Sequence, residues 1–320
     1  MKVGVIGAGA LGTAICQNIS NNLPDVLLYA RREKVVNDIN NFNCNKDYFP
    51  KIKLNNNIIA TSDLSDFSDV DAVILTIPSS NLREIMGKLS LILSEDCIII
   101  TTIKGIEKSS SKTASEVIKE FVDNKVFVFS GPTIARELVL NLPFATTIAI
   151  DCEEDMKLIR EIFESEVFKL QFNFDRVGTE LCGILKNILA ISFGICEGLN
   201  VNDSAKFAIL NKGFVEVGNI LECLGGKRET ILDYCGFGDI VTASTLSVSR
   251  NHTLGVLYGQ KIVIDENETG VVFEGKNSII TIKKLCDEKN IDSIIVNFVN
   301  DVIIEKINPE LAFENLWSEF

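Results

Sequence analysis

The N-terminal stretch constrains the fold of this chain more than any other segment. An apolar run, Lys2-Val-Gly-Val-Ile6, leads into glycines at positions 7, 9 and 12 and then into a helix pattern. Gly7 permits a tight turn after the strand, Gly9 lets the backbone approach a pyrophosphate, and Gly12 lets the helix lie close to the sheet. The N–H groups and positive dipole end of that helix favour an anion. We therefore predict a dinucleotide-binding βα unit; a glycine-rich turn that binds no ligand is the alternative.

The overall composition limits the number of domains and the class of partner. A length of 320 residues and a hydrophobic content of 46% suit a globular protein of about two domains. The formal net charge of -13 argues against nucleic acid and anionic membranes as partners, because both require a basic face. An anionic substrate must therefore be bound by a local cluster of lysine and arginine side chains.

Cysteine and histidine usage narrows the possible chemistry. The nine cysteines are scattered and never in C-x-x-C spacing, which predicts no disulfide framework and no metal site and favours the reducing cytoplasm. Because His252 is the only histidine, lysine side chains become candidates for acid–base catalysis. No apolar run reaches the ~18 residues of a membrane span. The spaced glycines of the N-terminal stretch argue against a signal peptide.

The second predicted strand ends in basic rather than acidic residues. Asp25-Val-Leu-Leu-Tyr29 has the pattern of a strand and is followed by Ala30-Arg31-Arg32. An NAD-specific fold usually places Asp or Glu here to accept hydrogen bonds from the ribose 2′-hydroxyl. Arginine suits a 2′-phosphate or stacks on adenine, so NADP should at least be tolerated. The alternative is a solvated basic pair that opens a helix over residues 33–40.

Short β-branched runs alternate with helix patterns through most of the first half of the chain. This alternation predicts an α/β fold with a parallel, doubly wound sheet of the Rossmann type. The further predicted strands are Ala72–Ile77, Cys97–Thr101, Val126–Phe129, Ala145–Ile150 and Phe168–Phe172. Pro78, Pro132 and Lys104 follow the carboxyl ends of strands, where open α/β sheets bind ligands. Lys104 is thus a candidate ligand-binding residue, with an ordinary surface lysine as the alternative.

From Arg176 onwards the pattern becomes almost entirely helical. We therefore place a dinucleotide-binding domain at residues 1–175 and a mostly α-helical substrate domain at residues 176–320. The predicted helix Arg176–Gly198 is densely apolar, and Lys186 and Asn187 interrupt it. Desolvation lowers the pKa of a buried lysine, which can then exchange a proton near neutral pH. The alternative is a lysine whose ammonium group extends to the surface.

A last polar cluster lies near residue 240. Asp239 follows a glycine turn, and Ser249-Arg250-Asn251 offers a hydroxyl, a guanidinium and an amide in succession. These groups suit a phosphate, because a guanidinium binds two phosphate oxygens at once. A polar helix end on the protein surface would contain the same residue types.

Several motifs in this order resemble those of the bacterial NAD(P)-dependent glycerol-3-phosphate dehydrogenases, over nearly the whole chain. The motifs are Gly7–Gly12, Tyr48–Pro50, Ile77–Ser79, Thr102–Glu107, Gly131–Ala135, Leu185–Asn187, Gly238–Asp239, Ser249–Asn251 and Phe273–Gly275. The resemblance implies an oxidoreductase that interconverts dihydroxyacetone phosphate and sn-glycerol 3-phosphate with NADP or NAD. It also implies a cytoplasmic enzyme that supplies glycerol 3-phosphate for phospholipid synthesis.

The resemblance also implies roles for individual residues. Lys186 would be the proton donor and acceptor, oriented by Asp239 and Asn187. Lys104 would be a charge that bridges substrate and nicotinamide. The implied glycerol-phosphate site comprises Lys104, Gly131, Thr133, Asp239, Ser249, Arg250 and Asn251. The implied cofactor contacts are Gly7, Gly9, Ala10, Leu11, Gly12, Arg31, Lys104, Ala135, Arg250, Val272 and Glu274.

The chain departs from the family pattern beside the glycines. The family often has Ser-Trp where this chain has Ala10-Leu11, so one hydroxyl contact near the phosphates is lost. Thr133 stands in place of a frequent serine and keeps the hydroxyl. Neither change affects the expected proton-transfer residues.

Two other functions fit part of the pattern. A reductase of the same architecture, of the ketopantoate or β-hydroxyacid type, would use the Lys-Asn pair but would not need Ser249-Arg250-Asn251. A non-catalytic NADP sensor would bind a partner protein and would have no use for Lys186 in a dry cleft. A homodimer is expected only because symmetric dimers are the commonest oligomers.

Overall fold

The chain forms two compact units in the computed structural model, which describes residues 1–247, 249–262 and 273–320. The first unit comprises Met1–Ile103 and Ala114–Arg176, and the second comprises Lys104–Thr113 and Val177–Phe320. Residues 104–113 precede the predicted domain boundary after residue 175, but they belong to the second unit. Lys104 therefore belongs to the same unit as Lys186 and Asp239.

The first unit is built on a single eight-stranded sheet. Its strands are β1 (Lys2–Ile6), β2 (Asp25–Tyr29), β3 (Ile58–Thr61), β4 (Ala72–Leu75), β5 (Ile98–Thr101), β6 (Val126–Ser130), β7 (Phe144–Ala149) and β8 (Phe168–Asn173). They are arranged in the order β3-β2-β1-β4-β5-β6-β7-β8. Strands β2 and β3 lie on one side of β1, and β4 to β8 lie on the other. Open α/β sheets bind their ligands at the point where the strand order changes direction in this way. The carboxyl end of β1 leads directly into residues 7–12, which we call the glycine segment.

Helices pack on both faces of this sheet. They are α1 (Ala10–Ile19), α2 (Glu33–Phe42), α3 (Leu82–Leu89), α4 (Ala114–Ile118), α5 (Ala135–Val139) and α6 (Asp155–Phe163). Along β4, Ala72 and Ile74 belong to one apolar cluster, and Val73 and Leu75 belong to another. Because successive side chains of a strand point to opposite faces, both faces of the sheet are buried.

The strand directions confirm most of the predicted parallel sheet and correct one edge of it. The strands from β1 to β6 pair in parallel, whereas β7 runs antiparallel to β6. The expectation of a wholly parallel sheet is wrong at this edge, because the chain returns alongside β6 after α5 instead of crossing back to the edge of the sheet where β6 begins.

Predicted and observed elements otherwise agree closely in position. The strand Asp25–Tyr29 and the helix Arg176–Gly198 have the predicted bounds, and the helix predicted from residue 33 extends to Phe42. The sequence pattern does not predict β3. This strand lies at the sheet edge and has four residues, of which Ile59 is exposed, so its alternation is too short to recognise.

The second unit is helical, as predicted. Its helices are α7 (Arg176–Gly198), α8 (Asp203–Cys223), α9 (Asp239–Thr245), α10 (Arg250–Gly259), α11 (Glu274–Glu288), α12 (Ile294–Ile303) and α13 (Pro309–Trp317). The apolar side chains of α7 form a core with those of α8, α11 and α12. Within the part of the chain that the structure describes, α7 is the one helix long and apolar enough to cross a membrane. However, 89% of its most apolar window is buried inside the fold.

Helices α7 and α10 cross with their backbones in direct contact. Gly194 and Gly198 of α7 face Gly255 and Gly259 of α10. A Cβ atom at Gly255 would overlap the carbonyl oxygen of Ile191 and would lie 3.0 Å from the Gly194 Cα atom. Residues four apart share one face of a helix, so the four glycines form a continuous strip of bare backbone. This glycine seam fixes α10 against α7.

Replacing Gly255 with alanine should lower the free energy of unfolding by about 2 kcal/mol or more, because backbone atoms of α7 cannot move aside as a side chain would. Gly218→Ala in α8 is a matched control, since its Cβ atom would lie 3.6 Å from its nearest neighbour, Arg228 Cγ. Alanine should be neutral there or stabilising by up to about 1 kcal/mol. Denaturant unfolding measures both variants. Equal stability of the two would contradict the close crossing.

Candidate active site

The glycine segment after β1 has the local geometry of a dinucleotide loop. Gly7 has a φ of +117°, which side-chain-bearing residues rarely adopt. A Cβ atom at Gly12 would overlap the Gly7 carbonyl oxygen, whereas a Cβ atom at Gly9 would meet nothing within 4 Å. Two glycines are thus required by the fold, and the third leaves open space. These residues fit a pyrophosphate that approaches the backbone at Gly9.

The start of α1 provides donors for an anion at that position. The N–H group of Thr13 donates to the Gly9 carbonyl oxygen at 3.0 Å. The preceding N–H groups, including those of Ala10 and Leu11, therefore have no acceptor within the helix. Such groups, with the positive end of the helix dipole, suit a phosphate without a basic side chain.

The two arginines after β2 differ in their surroundings. Arg31 is exposed, and Arg32 forms an ion pair with Asp47 at 2.8 Å. A hydrogen bond from Lys34 and the charge of Arg32 hold the pKa of the Asp47 carboxyl below its usual value. Arg32 is therefore held by an ion pair just before α2, whereas the Arg31 side chain is exposed.

Two lysines in the second unit share one buried carboxylate. Asp239 is 2% exposed, and its oxygens lie 2.5 Å from Lys104 Nζ and 2.7 Å from Lys186 Nζ. The two lysine side chains are 18% and 14% exposed. The Asn187 amide donates to the backbone carbonyl oxygens of Lys104, at 3.2 Å, and of Gly183, at 3.3 Å. These contacts form a lysine–aspartate cluster from residues far apart in sequence.

Burial gives Lys186 the properties of an exchangeable proton carrier. Desolvation lowers its pKa from the ordinary value of 10.5 to about 8. Asp239 opposes this change and raises the pKa, whereas the charge of Lys104 lowers it further. Both protonation states of the Lys186 amine are therefore accessible near neutral pH. The alternative of a lysine that extends to the surface does not describe this side chain, which is largely buried.

A π-helical turn positions Asp239. The turn spans Tyr234–Gly238 and continues directly into α9, of which Asp239 is the first residue. A Cβ atom at Gly236 would overlap the carbonyl oxygen of Ile231, so glycine is required inside the turn. The sequence indicates a glycine turn here but not its π-helical form. Single π-turns are often found at functional sites.

The cluster Ser249-Arg250-Asn251 opens α10, and two of its side chains bind backbone. The Ser249 hydroxyl oxygen accepts a hydrogen bond from the N–H of His252 at 3.3 Å and caps the helix. The side-chain amide oxygen of Asn251 accepts a hydrogen bond from the N–H of Gly275 at 3.3 Å. Arg250 lies exposed between them. The cluster is therefore a helix end, as one alternative from the sequence states, and it also presents a guanidinium to solvent.

Helices α7, α10 and α11 converge beside Gly275. A Cβ atom at Gly275 would lie 2.9 Å from Asn251 Oδ1 and 3.1 Å from Asn187 Cβ. Glu274, an expected cofactor contact, is the first residue of α11. The structure thus brings Asn187, Asn251 and Glu274 to one place in the second unit.

Three further residues expected to contact a ligand lie after β6 in the first unit. Gly131 and Thr133 follow β6 in the first unit, where the Thr133 hydroxyl donates to the Gly131 carbonyl oxygen at 3.2 Å. Ala135 is the first residue of α5. Val272 lies outside the described residues.

Sequence reasoning missed two residues that contact the glycine segment, Asn45 and Thr76. Asn45 donates to the Ala8 carbonyl oxygen and Thr76 to that of Gly7. The signal for Asn45 was its place just before Tyr48-Phe49-Pro50.

His252, the one histidine, is buried against Glu197 with a 3.2 Å contact. No group of three or more potential metal ligands occurs among the described residues.

Family models match both parts of the chain. Residues 2–156 match the N-terminal region of NAD-dependent glycerol-3-phosphate dehydrogenase, and residues 175–314 match its C-terminal region. The chain belongs to this family. The match covers the glycine segment of the first unit and Lys186 and Asp239 of the second.

Individual relatives agree with the family models. A protein of Clostridium botulinum strain Eklund 17B, named glycerol-3-phosphate dehydrogenase (NAD(P)+), is 34% identical over 318 residues, which cover 98% of this chain and 96% of that relative. The crystal structure of glycerol-3-phosphate dehydrogenase from Coxiella burnetii superposes with a TM-score of 0.91 at 28% identity. It covers 99% of this chain and 98% of its own.

The same fold also occurs in another reductase family. A ketopantoate reductase from Ralstonia eutropha matches 99% of this chain and 100% of its own with a TM-score of 0.63, at 13% identity. That likeness shows a shared architecture alone. The expected Rossmann-type sheet followed by a helical region is confirmed by the sheet topology and by the match to the Coxiella burnetii structure.

Opposite changes in the pKa of Lys186 should follow from removing its two charged neighbours. Asp239→Asn should lower that pKa below about 8, because the stabilising negative charge is lost. Lys104→Met should raise it, because a neighbouring positive charge is lost. The pH dependence of Lys186 acylation by a small anhydride, followed by mass spectrometry, measures both shifts. Labelling of Lys284, exposed on α11, is the internal control. Shifts of the same sign in both variants would contradict the described cluster.

Proposed function

We propose that this chain catalyses the reversible reduction of dihydroxyacetone phosphate to sn-glycerol 3-phosphate with NADPH or NADH. The observation that carries the proposal is the lysine–aspartate cluster, in which Lys186 has a pKa of about 8 and contacts a carboxylate at 2.7 Å. Such a lysine can give a proton to a ketone oxygen and take it back from an alcohol. Membership in the glycerol-3-phosphate dehydrogenase family identifies the substrate pair.

The glycine segment of the first unit would hold the cofactor. Backbone N–H groups of Gly9, Ala10 and Leu11 would bind the pyrophosphate, and Arg31 would accommodate a 2′-phosphate or stack on adenine. The nicotinamide ring supplies the hydride for reduction and accepts it in the reverse direction. Further proposed contacts are Gly7, Gly12, Lys104, Ala135, Arg250, Val272 and Glu274. Because arginine stands where an NAD-specific fold has an acidic residue, NADPH should be accepted at least as well as NADH.

Reduction of the ketone builds negative charge on its oxygen. Lys186 would donate its proton to that oxygen as a general acid, and Lys104 would stabilise the developing charge. Asp239 would orient both ammonium groups, since each of its oxygens contacts one of them. Asn187 would fix the backbone of Lys104. In the reverse direction neutral Lys186 would take the proton of the alcohol.

The substrate phosphate needs a permanent positive charge in a protein of net charge -13. Arg250 is exposed and its guanidinium can bind two phosphate oxygens at once. Ser249 accepts a hydrogen bond at its oxygen and keeps its own hydrogen to donate. Asn251 likewise uses its oxygen and keeps its NH2 group. Gly131 and Thr133 are proposed as further substrate contacts from the first unit.

The two alternatives account for fewer of these features. A ketopantoate or β-hydroxyacid reductase would not need the polar opening of α10, and its likeness to this chain is one of architecture alone. A nucleotide sensor would gain nothing from a buried lysine that shares a carboxylate with a second lysine. In the proposed dehydrogenase, both the polar opening of α10 and the buried lysine pair have a role.

The domain bounds, the cellular compartment and the oligomeric state are part of the same proposal. We propose residues 1–175 as the dinucleotide-binding domain and residues 176–320 as the substrate domain of a cytoplasmic homodimer. All nine cysteines are free thiols, which supports a reducing compartment. The net charge of -13 supports a small-molecule substrate rather than nucleic acid or an anionic membrane. The product would serve phospholipid synthesis.

Removing the proposed proton carrier should abolish most of the turnover. Lys186→Met should lower kcat for dihydroxyacetone phosphate by about two to four orders of magnitude, the usual contribution of general acid catalysis. The affinity for NADPH should change by less than about twofold, because the residue does not bind the pyrophosphate. Lys206→Met is a matched control, since Lys206 is 13% exposed and pairs with Asp203 at 2.9 Å. Oxidation of NADPH, followed by absorbance, measures turnover; near-normal kcat in Lys186→Met would exclude this role.

The pH dependence of the wild-type enzyme should have opposite signs in the two directions. Reduction requires the protonated lysine, so its kcat/KM should fall as pH rises through about 8. Oxidation of glycerol 3-phosphate requires the neutral amine, so its kcat/KM should rise through the same range. Initial rates from about pH 6 to pH 10 test this, and the same sign in both directions would contradict the assignment.

Arg250 should determine specificity for a phosphorylated triose. Arg250→Ala should lower kcat/KM for dihydroxyacetone phosphate by about two to four orders of magnitude, because a two-bond charge-assisted contact is lost. Activity on unphosphorylated dihydroxyacetone should fall much less. Arg228→Ala removes an exposed arginine that lies 3.8 Å from Glu222 and serves as the control. An unchanged ratio of the two kcat/KM values, at saturating cofactor, would place the phosphate elsewhere.

A further inference from the structure

The segment that ends in Tyr48-Phe49-Pro50 carries one buried amide to the glycine segment. Asn45 is 0% exposed. Its backbone carbonyl oxygen accepts hydrogen bonds from the N–H groups of Tyr48, at 3.3 Å, and Phe49, at 2.8 Å. The Phe49 ring is buried in the core of the first unit. This anchored turn fixes the position of the Asn45 side chain.

The Asn45 amide holds one carbonyl group of the glycine segment. Its Nδ2 atom donates to the Ala8 carbonyl oxygen at 3.0 Å and to Thr13 Oγ1 at 2.8 Å. The Asn45 Oδ1 atom is buried and has no hydrogen-bond partner among the described residues. The Ala8 carbonyl can only accept, so the atom that faces it must be the NH2 group. The position thus uses asparagine as a donor.

Thr76 holds the preceding carbonyl group. Its hydroxyl oxygen lies 2.9 Å from the Gly7 carbonyl oxygen and 3.0 Å from that of Ile6. One hydroxyl hydrogen serves these two acceptors. Two successive carbonyl groups, of Gly7 and Ala8, are therefore bound by side chains of the first unit.

These contacts determine where the neighbouring N–H groups point. In a trans peptide the C=O and N–H bonds are antiparallel, and no cis peptide occurs among the described residues. A Gly7 carbonyl held by Thr76 directs the N–H of Ala8 the opposite way, and an Ala8 carbonyl held by Asn45 does the same for Gly9. The space next to Gly9 is open, with no atom within 4 Å of a Cβ position.

We propose that Asn45 is a positioning residue for the cofactor pyrophosphate, with Thr76 as its partner. The two side chains lock the peptides after Gly7 and after Ala8 so that their N–H groups face the ligand. Without the lock either peptide can rotate, and a carbonyl oxygen would then face the phosphates. The inference rests on the proposed dinucleotide function of the glycine segment. It explains why a residue without access to solvent belongs to the binding machinery.

Asn45→Leu tests the proposal, because leucine has a similar shape and cannot donate a hydrogen bond. The dissociation constant for NADPH should rise about 10- to 100-fold, as expected when a buried carbonyl loses its donor. ADP-ribose, which retains the pyrophosphate and lacks the nicotinamide, should lose the same factor. Isothermal titration calorimetry measures both constants without turnover, and thermal unfolding without ligand records the change in stability.

Asn57→Leu is the matched control. The Asn57 amide donates to the backbone carbonyl oxygens of Ser20, at 2.9 Å, and Leu23, at 2.7 Å. It therefore has the same chemistry at the opposite end of α1. Asn57→Leu should lower the unfolding temperature by an amount similar to that of Asn45→Leu and should leave both dissociation constants within about twofold.

Asn45→Leu with wild-type affinity for both ligands would overturn the proposal, as would an equal loss of affinity in Asn57→Leu. If Asn45→Leu does not fold, Asn45→Ser and Thr76→Val carry the same test with the same criterion. A serine is too short to reach the Ala8 carbonyl, and a valine removes the Thr76 hydroxyl. Failure of the wild-type protein to bind NADPH would instead refute the proposed function and is measured first.

Discussion

The buried carboxylate of Asp239 is the interaction on which the lysine–aspartate cluster depends. A carboxylate removed from water needs compensation by charge or hydrogen bonds, and here two ammonium groups provide it. One carboxylate against two lysines leaves an excess of positive charge inside the cluster. Desolvation lowers the pKa of Lys186 to about 8 although Asp239 raises it, and the charge of Lys104 lowers it further. The same carboxylate connects α7, the start of α9 and the segment after β5, so the proposed proton transfer and the fold would depend on one contact.

Bare backbone is the second device that the structure uses repeatedly. Gly12 allows α1 to pass close to the turn after β1, Gly236 permits the π-helical turn before Asp239, and Gly255 allows α10 to contact α7. In each case a Cβ atom would overlap a carbonyl oxygen. The glycine seam would matter for the proposed function because α10 carries Arg250 and α7 carries Lys186. Close packing in proteins transmits small shifts, so a helix displaced at the seam would move one group relative to the other.

Charge is arranged locally against the overall charge of the chain. A net charge of -13 repels an anionic substrate at long range, a repulsion that salt screens within about 10 Å. In the proposed function, binding would come from short-range donors: backbone N–H groups at the start of α1, the exposed guanidinium of Arg250 and the ammonium groups around Asp239. Each would act within hydrogen-bond distance, where screening is weakest. The acidic surface then contributes to solubility rather than to binding.

The sequence by itself determined the fold class and most of the elements, because local signals encode them. The spacing of three glycines after an apolar strand indicated the βα unit, and apolar periodicity indicated the bounds of the helix Arg176–Gly198. Only the tertiary structure decided the direction of β7, since strand orientation depends on how the chain crosses the sheet rather than on local pattern. It also decided which carboxylate Lys104 and Lys186 share, because that contact joins residues 135 and 53 positions apart in the chain. The contact of the Asn45 amide with the Ala8 carbonyl oxygen likewise required the tertiary structure, since the sequence does not show which group the NH2 of an asparagine meets after folding.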